Sequence, residues 1–368
     1  MLSNKKTLFV TLHTFSLTGG IEKVCRSFAK VLKDFLSEEK IGGYQVFSMY
    51  DEQADLNYVD QIAFQGFRGS KFSFAFQTLK SGLDADVIVL SHIHLLIFAW
   101  LIKKINPHKR IILFAHGIEI WTELNQWKTT FIRNQVEILA VSNFTAKKIE
   151  EVHRVSPSKI KVLNNCLDPF FKVPLTLEKQ QKLMDRYQLT ASHKVLFALN
   201  RLSSAEQYKG YDRVIEALAA LPENVHYLLA GKADAEESQR LIDLIADKGL
   251  KERVILTGFI ADEEIIDHYL LADVFVMPSK GEGFGISFIE AAACGRRSIT
   301  GDKDGGTDAI LNGSLGQSVN PNDKAGLITA ILKEVDLIYN KKELQEKCLS
   351  TFGFKGYKQK MSDVLLDD

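Results

Sequence analysis

Short runs of β-branched and aliphatic residues, each followed by a stretch with apolar positions at helical spacing, recur along this chain in two series. That alternation restricts the fold more than any other feature. In the first series residues 7–15, 44–49, 87–91, 110–115, 138–142 and 160–163 read as strands. Val24, Phe28, Val31 and Phe35 recur at helical spacing after the first of them, and further helices are predicted around 72–79, 95–105 and 143–152. A second series begins at Val195, with strands at 195–200, 225–230, 254–259 and 274–277 and helices at 211–221, 236–248 and 262–271. Strand and helix taking turns implies parallel sheets whose crossover helices cover both faces. The fold class is therefore α/β, with two Rossmann-like domains facing across a cleft. The expected domains are residues 1–172 and 173–350, the linker starting at Asp168-Pro169 and a polar helix at 176–187 opening the second domain. A last helix is expected at 352–366, and residues 51–71, acidic and then rich in Phe and Gly, read as a long loop.

At 368 residues the chain is long for one core and ordinary for two. Zero formal net charge gives no hint of nucleic acid, but the first 172 residues carry about +6 and the remainder about −6. That asymmetry either orients the first half toward anionic lipid or draws the two halves together. Cys25, Cys166, Cys294 and Cys348 form no C-x-x-C pair, which argues for buried small residues in a reducing, cytoplasmic compartment. The opening M-L-S-N-K-K-T leads into a strand without a signal-peptide core. The apolar run 95–102 is too short to span a bilayer. It reads as a core helix or, with Lys103, Lys104, Lys109 and Arg110 beyond it, as a peripheral membrane face.

The most informative stretch is 279–295, S-K-G-E-G-F-G-I-S-F-I-E-A-A-A-C-G. The strand 274–277 stops at Pro278, a glycine-rich turn follows, and a helical pattern starts at Ile286 and ends at Gly295. Such a junction offers the first helix amides, near Phe284 to Ile286, to a phosphate, and Gly283 and Gly285 let a ligand approach the backbone. Glu282 at the mouth and Glu290 on the second helical turn can accept hydrogen bonds from vicinal sugar hydroxyls. Gly19-Gly20 lies at a second strand-to-helix junction, and the absence of G-x-G-x-x-G there weakens a dehydrogenase reading. Arg201 leaves the end of one strand and Lys209 follows eight residues later, so the two can neutralise a diphosphate without metal. His116 follows the strand 110–115 at the ligand-binding end of its sheet. Asp84-Ala85-Asp86 precedes its strand and falls at the wrong end for a ligand, and Asp302-Lys303-Asp304 carries a cation between its carboxylates, so no metal site is expected. Hydrolytic chemistry has no G-x-S-x-G, H-E-x-x-H or P-loop to support it. As a glycosidase pair, Glu282 and Glu290 fail because a carboxylate near a helix N-terminus is poorly suited to a raised pKa.

In this context the 279–295 stretch resembles the Glu-x7-Glu signature of the retaining, family 4 type glycosyltransferases, which have the two-Rossmann GT-B fold. The resemblance extends to T-G-G-I-E-K at 18–23, to N-R-L-S-S-A-E-Q-Y-K-G-Y-D at 200–212, with about two residues inserted between its cations, and to the serine, helix, strand and asparagine run ending at Asn164-Asn165. It implies that Glu282 and the backbone of Gly283 to Gly285 hold the donor sugar and that Glu290 holds the ribose. It further implies that Gly258-Phe259-Ile260 borders the nucleobase and that His116 lies near the reaction centre. Gly19 and Gly20 would face the donor diphosphate and the acceptor, and the last helix would return to the first domain. Asp308 stands where that family more often has glutamate. The function implied is a retaining transfer from a uridine or guanosine diphosphate sugar to a glycan, lipid-linked or other hydroxyl acceptor, without a cofactor, in surface polysaccharide or glycolipid synthesis. The alternative is a non-catalytic nucleotide-sugar-binding scaffold on the same fold.

Overall fold

The computed structural model describes residues 5–366; residues 1–4, part of the stretch expected to lack a signal core, and residues 367–368 lie outside the described residues. The chain divides into two compact units, one made of Met1–Phe170 and Phe352–Asp368, the other of Phe171–Thr351.

The first unit holds β1 (Lys6–Thr11), β2 (Gly43–Ser48), β3 (Phe64–Gly66), β4 (Val87–Leu90), β5 (Arg110–Ala115), β6 (Glu137–Ala140) and β7 (Ile160–Val162). They form one sheet in the order β3-β2-β1-β4-β5-β6-β7, with every pairing parallel. Leu8, Phe9 and Val10 are all buried because helices cover both faces of β1. Over one face the helix Gly20–Ser37 sets Phe28 edge-on against Phe9, ring centroids 4.7 Å apart, and against Phe114 at 5.3 Å. The helices Lys71–Asp84 and Leu96–Ile105 pack together through Phe74 and Phe98, and so closely that a Cβ on Gly82 would lie 2.3 Å from Ile102 Cδ1. The helix Phe354–Leu365 belongs to this unit: Lys358 Nζ reaches Glu38 at 2.7 Å, and Arg110 Nη2 donates to the Val364 carbonyl at 2.7 Å.

The second unit holds β8 (Lys194–Leu199), β9 (Val225–Ala230), β10 (Val254–Gly258), β11 (Val274–Met277), β12 (Arg297–Gly301) and β13 (Gly316–Val319). Their order is β10-β9-β8-β11-β12-β13, again parallel throughout. In both sheets the order reverses next to the first strand, between β1 and β4 and between β8 and β11. Crossovers leave to opposite sides there, and a crevice opens beyond the carboxyl ends of the strands.

Several expectations need correction. The segment 51–71 is not all loop, since it contains the edge strand β3, whose three residues are too few to show a period. The polar helix at 176–187 shrinks to Gln181–Arg186, because the Leu177 side chain is buried and its carbonyl accepts from the buried Arg296 guanidinium at 2.7 Å. The final helical region breaks at Gly353, whose backbone is extended, so one helix ends at Phe352 and the next starts at Phe354. The four cysteines are free and buried.

β1 ends at Thr11 rather than at residue 15, and the reason bears on both units. After β1 the chain turns and its amides meet a buried carboxylate: Asp51 accepts from Thr14 N at 2.6 Å, Phe15 N at 3.1 Å, Ser16 N at 2.9 Å and Ser48 Oγ at 2.7 Å. The second unit repeats the device. Asp304 accepts from Ser279 Oγ at 2.5 Å, Glu282 N at 2.8 Å and Gly306 N at 3.0 Å. Burial alone would raise both carboxyls. For Asp51 the hydrogen bonds led by Ser16 and Ser48 outweigh it and hold the group below the ordinary aspartate range, whereas burial wins at Asp304, raised to about 7.

The two therefore affect stability with opposite signs. Asp51 stabilises the fold above the ordinary carboxyl range, and that contribution is lost as pH falls through its depressed pKa; D51N is expected to lower the thermal midpoint at pH 7 and to approach the wild type as the solution is acidified below the ordinary aspartate range. The native state holds the Asp304 proton longer than the unfolded chain does, so stability declines as pH rises from about 4 to about 7. D304N should flatten that decline in thermal unfolding between pH 5 and 8, and an unchanged slope would contradict the assignment.

Candidate active site

The carboxyl edge of the second sheet gathers most of the residues singled out by sequence. After β8 the chain runs through Asn200 and Arg201 into the 3-10 turn Ser204–Lys209 and reaches Gly210 with φ at +79°. A side chain there would also place its Cβ 2.5 Å from the Pro278 carbonyl, so the loop after β8 lies directly against the loop after β11. Lys280 N donates to the Tyr208 carbonyl at 2.9 Å across the same seam.

This contact brings Lys209 to Glu282, with Nζ 3.6 Å from Oε2. The inserted residues do not carry Lys209 away; they form the turn and add Glu206 to the group. Glu206 lies with Oε1 3.0 Å from Arg201 Nε and Oε2 3.8 Å from Lys209 Nζ. Burial by itself would lower the Lys209 ammonium, but the facing carboxylates, Glu282 foremost, hold it above its ordinary value, so it stays charged across the physiological range.

The helix Ile286–Ala293 starts as read, with Gly285 at its N-cap and no side chain to bond the first amides. Gly285 is required for a reason the sequence did not give. Its φ is +88°, and a Cβ would lie 2.3 Å from the Phe288 ring, so it lets the loop fold back on its own helix rather than only admitting a ligand. The Phe284 side chain is buried. Gly305 N donates to the Glu282 carbonyl at 2.8 Å, and this bond with the Asp304 brace fixes the glycine loop from behind. Glu290 lies on the second turn of the helix, almost fully buried, with Oε2 accepting from the Tyr269 hydroxyl at 2.9 Å. Gly258 ends β10, two strands away from β8 in the same sheet, and Phe259-Ile260 follow it. Gly258 is left-handed at φ +69°, Phe259 is 68% exposed and Ile260 is buried.

His116, Gly19 and Gly20 lie in the first unit. His116 follows β5, is buried against Phe114, and donates from Nε2 to the Ser91 carbonyl at 2.8 Å, which leaves Nδ1 as the unprotonated nitrogen of the neutral ring. Burial lowers its pKa and favours that neutral form, as it does for neighbouring His92, lowered to about 4. Glu119 Oε1 accepts from the His116 amide at 2.6 Å and so fixes the loop. Gly19 caps the helix Gly20–Ser37 with an extended backbone, and nothing lies within 4 Å of where a Gly20 Cβ would be.

Of the pairs considered for metal, Asp84 lies 3.0 Å from Lys6 Nζ and Asp86 accepts from Lys6 N at 2.8 Å, at the amino end of β1. Asp304 is turned inward as the loop brace, while Asp302 pairs with Lys303 at 3.7 Å. Sequence reasoning missed Asp51, Glu206, Tyr269 and the bracing role of Asp304. The signal available for the two aspartates was position alone: Asp51 comes just after β2 and Asp304 just before Gly305-Gly306.

Comparisons with known proteins bear on the family and the fold. Residues 51–170 match the family model described as Glycosyltransferase Family 4, and residues 179–349 match the one described as Glycosyl transferases group 1. A GDP-mannose-dependent alpha-(1-6)-phosphatidylinositol monomannoside mannosyltransferase of Mycolicibacterium smegmatis is 29% identical over 239 residues, 61% of this chain and 60% of that protein. The serotype-specific mannosyltransferase WbdA of Escherichia coli is 29% identical over 168 residues, 44% of this chain. The chain thus spans 60% of the length of the first relative and 20% of the second. Among solved structures, Anabaena Alr3699/HepE in complex with UDP superposes with a TM-score of 0.74 at 20% identity, covering 98% of this chain and 99% of that one, which shows a shared two-Rossmann GT-B fold. Two family models that follow one another along the chain, on a fold with that neighbour, lead to one conclusion: the chain belongs to the family 4 type of glycosyltransferases.

Proposed function

We propose that this chain moves a hexose from a nucleoside diphosphate sugar to a hydroxyl of a glycan or lipid-linked acceptor, with retention of anomeric configuration and without an essential metal. The observation that carries the reading is the cluster of Arg201, Lys209 and Glu282 at the β8/β11 switch point, beside the uncapped helix Ile286–Ala293. A departing diphosphate gains negative charge as the bond from the sugar C1 to its phosphate oxygen breaks. Fixed cations and helix amides stabilise that state more than the ground state. Glu282 accepts hydrogen bonds from the sugar hydroxyls and Glu290 from the ribose. Phe259, exposed after β10, offers a ring face to the base. The acceptor oxygen bonds to C1 on the face the phosphate leaves, and its proton passes to the departing phosphate oxygen. This route suits a site in which no side chain has been assigned as nucleophile or base. In the first unit, neutral His116 and the open helix start at Gly19-Gly20 are the groups we assign to the acceptor. The relatives' names span UDP and GDP-mannose, so either base is in scope.

The setting we propose is a cytoplasmic protein in peripheral contact with an anionic membrane, through one outer face of the first unit. Among the described residues no helix is long and apolar enough to cross a membrane. The helices Lys71–Asp84, Leu96–Ile105 and Gln126–Gln135 carry six cations and one acid. Phe72 and Phe76 are 93% and 66% exposed one helical turn apart, and Ile105 and Trp127 are exposed as well. Lys104 lies over the Trp100 ring and Lys128 over Trp127, the two rings 6.0 Å apart. Aromatic rings flanked by lysines suit the headgroup layer, where each cation adds about 1 kcal/mol near anionic lipid.

Two measurements test these statements separately. With the donor found by thermal shift across UDP- and GDP-sugars, K209A and E282Q are each expected to lower kcat by roughly a hundred-fold or more while leaving the thermal midpoint nearly unchanged. Near-normal turnover in either variant would overturn the transferase assignment, and a protein that binds the donor without ever turning it over would be the scaffold instead. In flotation with vesicles, the protein should bind phosphatidylglycerol-containing membranes, not pure phosphatidylcholine, and F72S/F76S should lose about ten-fold in affinity. Equal binding by that variant would remove the membrane face from the proposal and leave the transfer reaction standing.

A further inference from the structure

The cations assigned to the diphosphate are not waiting empty. Glu206 joins both of them, Oε1 at 3.0 Å from Arg201 Nε and Oε2 at 3.8 Å from Lys209 Nζ, and Glu282 takes a third place at 3.6 Å from the same ammonium. Two cations and two carboxylates make a cluster with no net charge. The exposures differ in a telling way: the Arg201 side chain is 69% exposed and that of Glu206 only 15%, so the acid lies behind and the guanidinium in front.

The turn is anchored on either side of Glu206 rather than through its carboxylate. Gln207 Nε2 donates to the buried Glu237 at 2.9 Å, the Tyr208 carbonyl accepts from Lys280 N at 2.9 Å, and Gly210 is seated against Pro278. Glu237 is itself held by Tyr211 and by both Nε and Nη2 of Arg240. Glu206 marks the kink of the turn, at φ −114° and ψ 16°, where the helical path is already broken. Its side chain can therefore change partners without unfolding the turn, while Lys209 stays in place.

We propose that Glu206 is a built-in counter-ion of the nucleotide site: it neutralises Arg201 and Lys209 when the site is empty, yields them to an arriving diphosphate, and competes for them again so that the nucleoside diphosphate product leaves. No bond is made or broken in this exchange. A transferase that binds its donor through charge faces a product carrying the same charged group, and with one more free phosphate oxygen. An internal carboxylate that returns to the cations lowers product affinity without touching the sugar or the base. The inference rests on the reading that these cations hold the diphosphate.

The test compares wild type, E206Q and E206D by calorimetry with UDP and GDP, and with uridine and guanosine as ligands that lack the charge. E206Q keeps the shape of the side chain and removes its charge. It is expected to bind the matching nucleoside diphosphate about ten-fold more tightly, the usual size of one coupling between neighbouring groups, and to show product inhibition at correspondingly lower concentration. Nucleoside affinity should not move, E206D should stay close to wild type, and the gap between E206Q and wild type should narrow as salt is raised. A purely structural role for Glu206 would shift nucleoside and diphosphate binding together. Diphosphate affinity equal to or weaker than wild type in E206Q overturns the counter-ion role alone. Failure of the wild type to bind either nucleoside diphosphate overturns the underlying assignment and this inference with it.

Discussion

A parallel strand that runs into a helix leaves a short stretch of backbone whose amides belong to neither element, and such amides must find acceptors before they can be aimed at a ligand. Both units solve this with a buried aspartate contributed from a later part of the chain. Asp51 gathers three consecutive amides of the loop after β1, and Asp304 ties the loop after β11 through Ser279 and Glu282 while Gly306 N holds it in its own segment. The consequence is rigidity in the two places where a phosphate or a sugar hydroxyl would be met. Asp51 has more donors for its charge and holds it firmly, while Asp304 lies near its titration point. The glycine loop carrying Glu282 is thus the more pH-sensitive of the two.

Once those loops are fixed, the second unit's charges can be set by contact rather than by bulk. The close seating of Gly210 on Pro278 puts Lys209 beside Glu282, and that neighbour keeps the ammonium charged despite its burial. An isolated buried lysine would tend to lose its proton. Paired with two carboxylates it keeps the charge but has less of it to offer. The site is therefore balanced between holding its cations ready and leaving them too strong for a product to escape, a balance in which Glu206 is the adjustable member.

Most of this architecture was legible in the sequence because burial on both faces writes parallel strands as unbroken apolar runs. β5, β9 and β11 and the helix start at Ile286 coincide with the pattern, and Arg201, Lys209 and Glu282 come together as their positions at strand ends suggested. What stayed hidden follows physical reasons. β3 is three residues long at a sheet edge, and the helix Gln126–Gln135 buries only Phe131 and Ile132, so neither leaves a period. Asp304 was read within an Asp-Lys-Asp pair because a sequence does not show which carboxylate faces inward. Glu206 was invisible for a related reason: its meaning lies in two contacts made by the fold of a turn, not in any spacing.

The contrast between the two kinds of basic surface in this chain explains why its net charge of zero says so little. In the second unit Arg201 and Lys209 are paired with carboxylates at fixed distances, so an anionic ligand of the proposed kind would have to displace one anion with another. On the outer helices of the first unit Lys104 and Lys128 rest over indole rings with hardly an acid on the same helices. Cations of that kind act over the range of the Debye length, and in the proposed role they would favour an anionic surface that also accepts aromatic side chains. In the proposed roles the two would answer to salt differently: screening would weaken the outer face directly, whereas in the paired cluster it would weaken the internal anion and the incoming one together.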